Sequence, residues 1–444
     1  MEFDLIVANG TVVTVNPDCE IIENGFVAVR KGKIAAVQPM TPGQTLPRSR
    51  DSIDANGGII MPGLVNTHTH APMTLFRGLA DDLPLDTWLN RHIFPAEAAF
   101  ITNENVRWGT QLACAEMLLS GTTLFCDGYF LEEEVAEVVA NVGIRAVLGQ
   151  GVIDFPAPGV PNPDENVRAA TAYVEKWAGR YSKISPALFC HSPYTCSSRT
   201  LKKAKAAAAA NCVLFQIHAA ETADEAQRIQ SASSVSPIRY LKSLDVLDAD
   251  TLLVHAVWVD DRDIDIIAQS GACISHNAES NMKLASGIAP LHKFRERAII
   301  TGLGTDGCAS NNDQDLFREM DMVAKLHKVS TLDPTVMDAA TVLRMATIEG
   351  ARAIGLGDIT GSIETGKAAD LIVLDSRRPH LIPMYHPVSQ LVYAARGSDV
   401  RHVMVDGRLL VKDRQLLTID TAEVMKKVNE LGRKIVQRSF NHTR

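Results

Sequence analysis

Between about residues 60 and 360 the chain repeats one pattern, a short apolar run of strand composition followed by a stretch with helical spacing. Eight runs can be counted: IIMPGLV (59–65), GTTLFCD (121–127), IRAVLGQG (144–151), ISPALFCH (184–191), CVLFQIH (212–218), TLLVH (251–255), GACISH (271–276) and AIITGLG (298–304). The helical stretches between them include 104–119, 164–180, 260–269 and 312–328. Strands joined through helices run parallel, because a parallel neighbour is reached only by a crossover long enough to hold a helix. Eight such units specify an α/β fold of the (β/α)8 barrel type. An open doubly wound sheet is the competing arrangement, but no glycine-rich GxGxxG turn follows the first run.

The two ends read differently. LIVANGTVVTV (5–15) and GFVAVRKGKIAAV (25–37) are β-rich and separated by turn residues, and similar runs return at LIVL (371–374) and HVMVDGRLLV (402–411). Such runs suit antiparallel pairing, so both ends are expected to build one small β-sandwich. With 444 residues the chain is long enough for a large barrel and an appendage. The expected division is a sandwich from residues 1–60 and 365–420, a barrel over 61–364, and a C-terminal helix and tail over 421–444 that opens on a Thr421 cap.

Composition narrows the partners. Lys plus Arg is 44 against Asp plus Glu at 52, a net charge of −8, with no basic stripe, so nucleic acid is not an expected partner. No apolar stretch approaches the ~20 residues that span a bilayer, and the start MEFDLIVANG carries acids where a secretory leader carries bases, so no membrane and a cytoplasmic location are expected. Eight scattered cysteines form no CxxC pair, which disfavours a zinc finger and favours free buried thiols. Cys308, two residues past a candidate ligand, reads as a small apolar loop residue.

His68 and His70 follow the first run in NTHTH, and residues two apart on extended backbone share a face, so both imidazoles can reach one ion. Alone, HxH is weak. His218 ends the fifth run, His255 ends the sixth and Asp306 follows the eighth, all at C-terminal strand ends, where barrel active sites are assembled. Imidazole nitrogens plus one carboxylate suit one divalent ion, zinc first, iron(II) or another as alternatives, with a position left for water. Glu221, three residues after His218, either favours the N-terminus of the next helix or moves protons beside activated water. His255 reads as a second-metal ligand or an orienting residue. The fourth run ends Phe189, Cys190, His191, and Lys183 lies at its start, so no bridging group is at hand and one metal is expected.

With these residues in place, the chain resembles the amidohydrolase superfamily, in the branch of methylthioadenosine/S-adenosylhomocysteine deaminases and chlorohydrolase-like enzymes. The motifs are PGLVNTHTH, MTLFRGLADDLPLDTWL, HSPYTCS, HAAET, LVHAVWVD, SHNAESNMKLASGIAP, GLGTDGCASNNDQDLF and ATIEGARAIGLGDITGSIETGKAADLIVLD, which span nearly the whole chain. The resemblance implies a metal-dependent deaminase that converts a 5′-modified adenosine to its inosine derivative and ammonia. By position it makes His68, His70, His218 and Asp306 the metal ligands, Glu221 the proton shuttle and His255 the residue that steers water, with Asp306 also assisting ammonia's departure. It makes Glu97 a contact to the ribose hydroxyls and His191 a contact to the nucleoside. Phe76, Trp88 or Trp258 is expected to line the mouth for a 5′ thioether. Gln150 stands where some relatives are expected to carry an arginine for the carboxylate of S-adenosylhomocysteine, which favours the smaller methylthioadenosine. A homo-oligomer, dimer or higher, follows from the resemblance alone. The alternatives are a free purine or pterin deaminase or a triazine-type hydrolase of the same superfamily, and, from another class, an inactive scaffold.

Overall fold

The computed structural model describes residues 2–41 and 45–441. Eight strands lie side by side in sequence order, every described pairing parallel: Leu64–Thr69, Thr122–Tyr129, Arg145–Val152, Ile184–Cys190, Phe215–Ala219, Thr251–His255, Cys273–His276 and Thr301–Leu303. The first and eighth strands meet at the rim, where the Asp306 N–H donates to the His68 carbonyl at 3.0 Å. Asn66 secures the same seam, its Nδ2 donating to Thr305 Oγ1 at 2.8 Å. The eightfold alternation therefore produces the expected parallel barrel. Its helices include Asn103–Leu119, Asn166–Trp177, Asp261–Ser270 and Leu316–Thr331, close to the predicted stretches.

One expected strand is two. Ile59–Pro62 pairs with Phe3–Val13 and Leu371–Leu374 in the other sheet, and only Leu64–Thr69 enters the barrel. The change of sheet falls at Gly63, where an added Cβ would lie 2.0 Å from Thr123 Oγ1, so the backbone approach there requires glycine. An unbroken apolar run conceals such a break because both of its halves are buried.

Both ends of the chain join in one nine-stranded mixed sheet. Its order runs Gln415–Leu416, Arg408–Lys412, Val400–Val405, Leu371–Leu374, Ile59–Pro62, Phe3–Val13, Ile21–Arg30, Lys33–Pro39, with Ser49–Asp54 also parallel to Phe3–Val13. Leu5, Val27, Ile60, Leu371 and Met404 share its apolar core. A buried ion pair ties this sheet to the barrel, Arg145 Nε lying 2.8 Å from Asp370 Oδ2. The last helix, Thr421–Asn441, is capped by Asp420 and not by Thr421, since the Asp420 carboxylate accepts from the Glu423 N–H at 3.0 Å. Of the cysteines, Cys114, Cys126, Cys190, Cys196, Cys273 and Cys308 are buried, but Cys19 and Cys212 are exposed. No helix among the described residues is long and apolar enough to cross a membrane.

Candidate active site

His68, His70, His218 and Asp306 converge at the C-terminal rim. Each offers one ligand atom, and these atoms all lie within 4.8 Å of one another. His68 falls inside the first strand and His70 just after it. His68 Nε2 stands 3.2 Å from His218 Nε2 and 3.6 Å from Asp306 Oδ1, and His70 Nε2 stands 3.3 Å from the same oxygen. Metal bonds of about 2.0–2.1 Å give a tetrahedron edges of about 3.3 Å, so these three separations suit ligands of one divalent ion.

Hydrogen bonding prepares these atoms. His70 Nδ1 lies 2.6 Å from the Gly128 carbonyl, which can only accept; Nδ1 therefore carries the proton and Nε2 keeps its lone pair. Burial pushes His68 down to about 4, against the pull of Asp306, and likewise pushes His70 and His218 below the usual histidine range, so the three rings stay neutral. On Asp306, Oδ2 accepts from Ser280 Oγ at 2.6 Å and Ser310 Oγ at 2.9 Å, while Oδ1 accepts from the Gly307 N–H at 2.8 Å. These donors hold an ionised carboxylate with Oδ1 toward the imidazoles.

Backbone strain accompanies the precision of the rim. Asp306 has φ +61, His255 +78, Ala256 +48 and Ala220 +55, the left-handed region that non-glycine residues adopt only when their surroundings hold them there. At Ala220 the holder is Glu225, whose carboxylate accepts from the N–H groups of Ala220 and Glu221 at 2.9 and 2.8 Å. Glu221 is thereby fixed beside the cluster, 8 % exposed, with Oε2 3.8 Å from His255 Nε2. Burial raises its carboxyl, and His255 opposes that rise. His255 Nδ1 is committed to Asn281 Oδ1 at 2.8 Å, which leaves Nε2 toward Glu221.

The cluster opens into a pocket walled by Trp88, Leu89, Ile93, Phe94, Phe130 and Phe189, into which Glu97, His191, Glu221, His255 and Asp306 also face. Trp88 and Glu97 reach it from the long connection after the first strand, which folds as Leu85–Trp88, a π turn Leu89–Ile93 and the helix Phe94–Phe100. Glu97 is only 5 % exposed and accepts from Tyr129 Oη at 2.6 Å, so it is no solvated helix residue. His191 Nδ1 lies 2.9 Å from Thr195 Oγ1.

Of the three aromatics expected at the mouth, Trp88 lines the pocket. Phe76 is 1 % exposed within the core, and Trp258, 47 % exposed, lines the outer groove with its Nε1 donating to Ser286 O at 2.7 Å. Gln150 faces the protein: its Oε1 accepts from the Glu132 N–H at 3.1 Å and its Nε2 donates to Gly151 O at 3.4 Å. Sequence reasoning missed Tyr129, Glu225, Asn281 and the serine pair on Asp306. Ser280 and Asn281 lie in the SHNAESNMKL stretch and Glu225 lies four residues past Glu221, but neither spacing carries a chemical signature by itself.

Comparison with known proteins agrees with this geometry. The amidohydrolase family matches residues 59–410. A 5-methylthioadenosine/S-adenosylhomocysteine deaminase from Syntrophobacter fumaroxidans is 48% identical over 432 residues, covering 97% of this chain and 98% of that one. A 5′-deoxyadenosine deaminase from Methanosarcina mazei is 43% identical over 437 residues, covering 98% and 99%. Among solved structures, an adenosine deaminase from Xanthomonas campestris with bound zinc superposes with a TM-score of 0.96 at 38% identity, covering 98% of this chain and 99% of that one. The parallel barrel, the rim cluster of three histidines and one aspartate, and these full-length similarities together make the chain a member of the amidohydrolase family.

Proposed function

We propose that this protein is a hydrolytic deaminase that converts a 5′-modified adenosine to the inosine derivative and ammonia. One observation carries the reading: the pocket over the four-residue cluster holds two separate buried carboxyl groups, Glu221 beside the cluster and Glu97 on the wall. The names of the relatives support it, as adenosine-type deaminases.

His68, His70, His218 and Asp306 would hold one divalent ion, zinc first. When bound, such an ion acts as a Lewis acid that lowers the pKa of water to near neutrality. Glu221, whose carboxyl burial keeps easily protonated, accepts a proton and delivers it to the purine N1. His255 orients water through Nε2, and its Nδ1 bond to Asn281 maintains that direction. Asp306 assists the departing ammonia. Glu97 binds the ribose diol, because a carboxylate accepting two hydroxyl protons makes charge-assisted bonds. His191 and Trp88 complete the nucleoside contacts. The proposal extends to a homo-oligomer, a reading carried by the resemblance alone, and to a cytoplasmic location.

The test is ammonia release from methylthioadenosine, adenosine, adenine and guanine, with metal content measured alongside. The nucleosides are expected to lead, and Glu97→Ala to erode that preference. A free base as the better substrate, with the ranking unmoved by Glu97→Ala, overturns the assignment.

A further inference from the structure

The pocket continues outward into a groove, and Leu85, Leu89, Phe94, Tyr194 and Leu284 border both. This collar is apolar except for the Tyr194 hydroxyl, so it accepts methylene and thioether groups. Beyond it the groove becomes charged. Two cations line it, and they differ in how far they are committed. Lys283 Nζ donates to Asp81 Oδ1 at 2.6 Å, to Ala309 O at 3.3 Å and to Asn312 Oδ1. Arg228 Nη2 donates to Asp86 Oδ1 at 2.7 Å, and its guanidinium sits 5.9 Å from the Tyr194 ring centroid. A guanidinium carries five N–H donors, so one bond to Asp86 leaves capacity for a second oxyanion.

Asp86 and Arg228 come from opposite walls, Asp86 from the helix Leu85–Trp88 after the first barrel strand and Arg228 from the helix Ala223–Ser233 after the fifth. Their side chains are 55% and 53% exposed. A pair so open to water gains little from its own contact, and separating it strands neither charge in an apolar medium. We propose that Arg228 and Asp86 form a receiving site for an α-amino acid carried on the 5′ substituent. Arg228 takes the carboxylate and Asp86 the ammonium, exchanging one ion pair for two.

The inference deepens the proposed function and rests on its nucleoside substrate. Gln150 offers no such contact, being spent on Glu132 and Gly151, whereas Arg228 lines the groove outside the collar. No sequence spacing indicates this, because Asp86 and Arg228 are 142 residues apart.

The experiment compares kcat/KM for S-adenosylhomocysteine and methylthioadenosine in the wild-type holoenzyme, Arg228→Gln and Arg228→Lys, at about 20 mM and about 500 mM salt. The ratio of the two substrates is expected to fall about two- to fivefold in Arg228→Gln, with part of it restored in Arg228→Lys. High salt should lower the ratio in the wild type and leave it unmoved in Arg228→Gln. Turnover of neither nucleoside by the wild type brings down the substrate reading and this inference together. Turnover of both with a ratio that Arg228→Gln does not move, or that Gln and Lys lower equally without salt dependence, overturns this inference alone.

Discussion

Tyr129→Phe tests the proposed sugar contact through a single hydroxyl. In the folded protein burial lifts the Glu97 carboxyl to about 7, even though the Tyr129 hydroxyl, donating at 2.6 Å, works to lower it. Near neutral pH Glu97 is thus close to half ionised. A hydroxyl donating to an ionised carboxylate contributes about 1.5–3 kcal/mol, so losing it moves the ionisation upward by about 1–2 pH units. At pH 7 the ionised fraction then falls from about a half to about a tenth or less, and kcat/KM for the nucleoside falls about 5- to 50-fold. Because the ionised form is the one that binds the diol, and a carboxyl ionises as pH rises, raising the pH to 9 should recover most of the loss. Full kcat/KM profiles for methylthioadenosine from pH 6 to 9 in both proteins measure this, with adenine as the sugar-free control. A deficit that stays constant across that range, or one that falls on kcat with KM unchanged, would refute the reasoning.

Two further perturbations separate chemistry from architecture. Glu221→Gln keeps the shape of the side chain without its proton-carrying group, so bound metal should remain while turnover drops about 10²-fold or more; His218→Ala should lose both, and metal analysis beside the rate distinguishes them. Asp370→Ala leaves the Arg145 guanidinium, 5% exposed, at the junction of barrel and terminal sheet with only the partly exposed Asp406, 3.9 Å away, as a carboxylate partner. Unfolding in denaturant should show a loss of about 3–5 kcal/mol, and a change under 1 kcal/mol would mean that Asp406 or water compensates that charge.

The α/β alternation was legible because period and run length respond to local backbone geometry, and seven crossovers among eight strands leave few topologies open. The ligand set was legible for a related reason. His68 and His70 share a face by their spacing, while His218 ends one strand run and Asp306 follows another, and in a parallel barrel all strand ends arrive at one rim. The break at Gly63 was not legible, since the glycine's requirement comes from Thr123, a neighbour 60 residues away. The Asp420 cap was hidden by an equally plausible Thr421 beside it.

By itself, then, the sequence determined the barrel, the terminal sheet and which four side chains cluster, since these follow from local periodicity and from the common direction of parallel strands. The tertiary structure alone decided which atoms of those side chains are available. The Gly128 carbonyl selects Nε2 on His70, two serines turn Oδ1 of Asp306 inward, and Glu225 holds Ala220 at φ +55 so that Glu221 meets His255. It likewise decided that Glu97 is buried against Tyr129 and that Arg228 meets Asp86 across the groove. Tautomer, ionisation and side-chain direction are set by partners distant along the chain, and such partners leave no periodic trace in it.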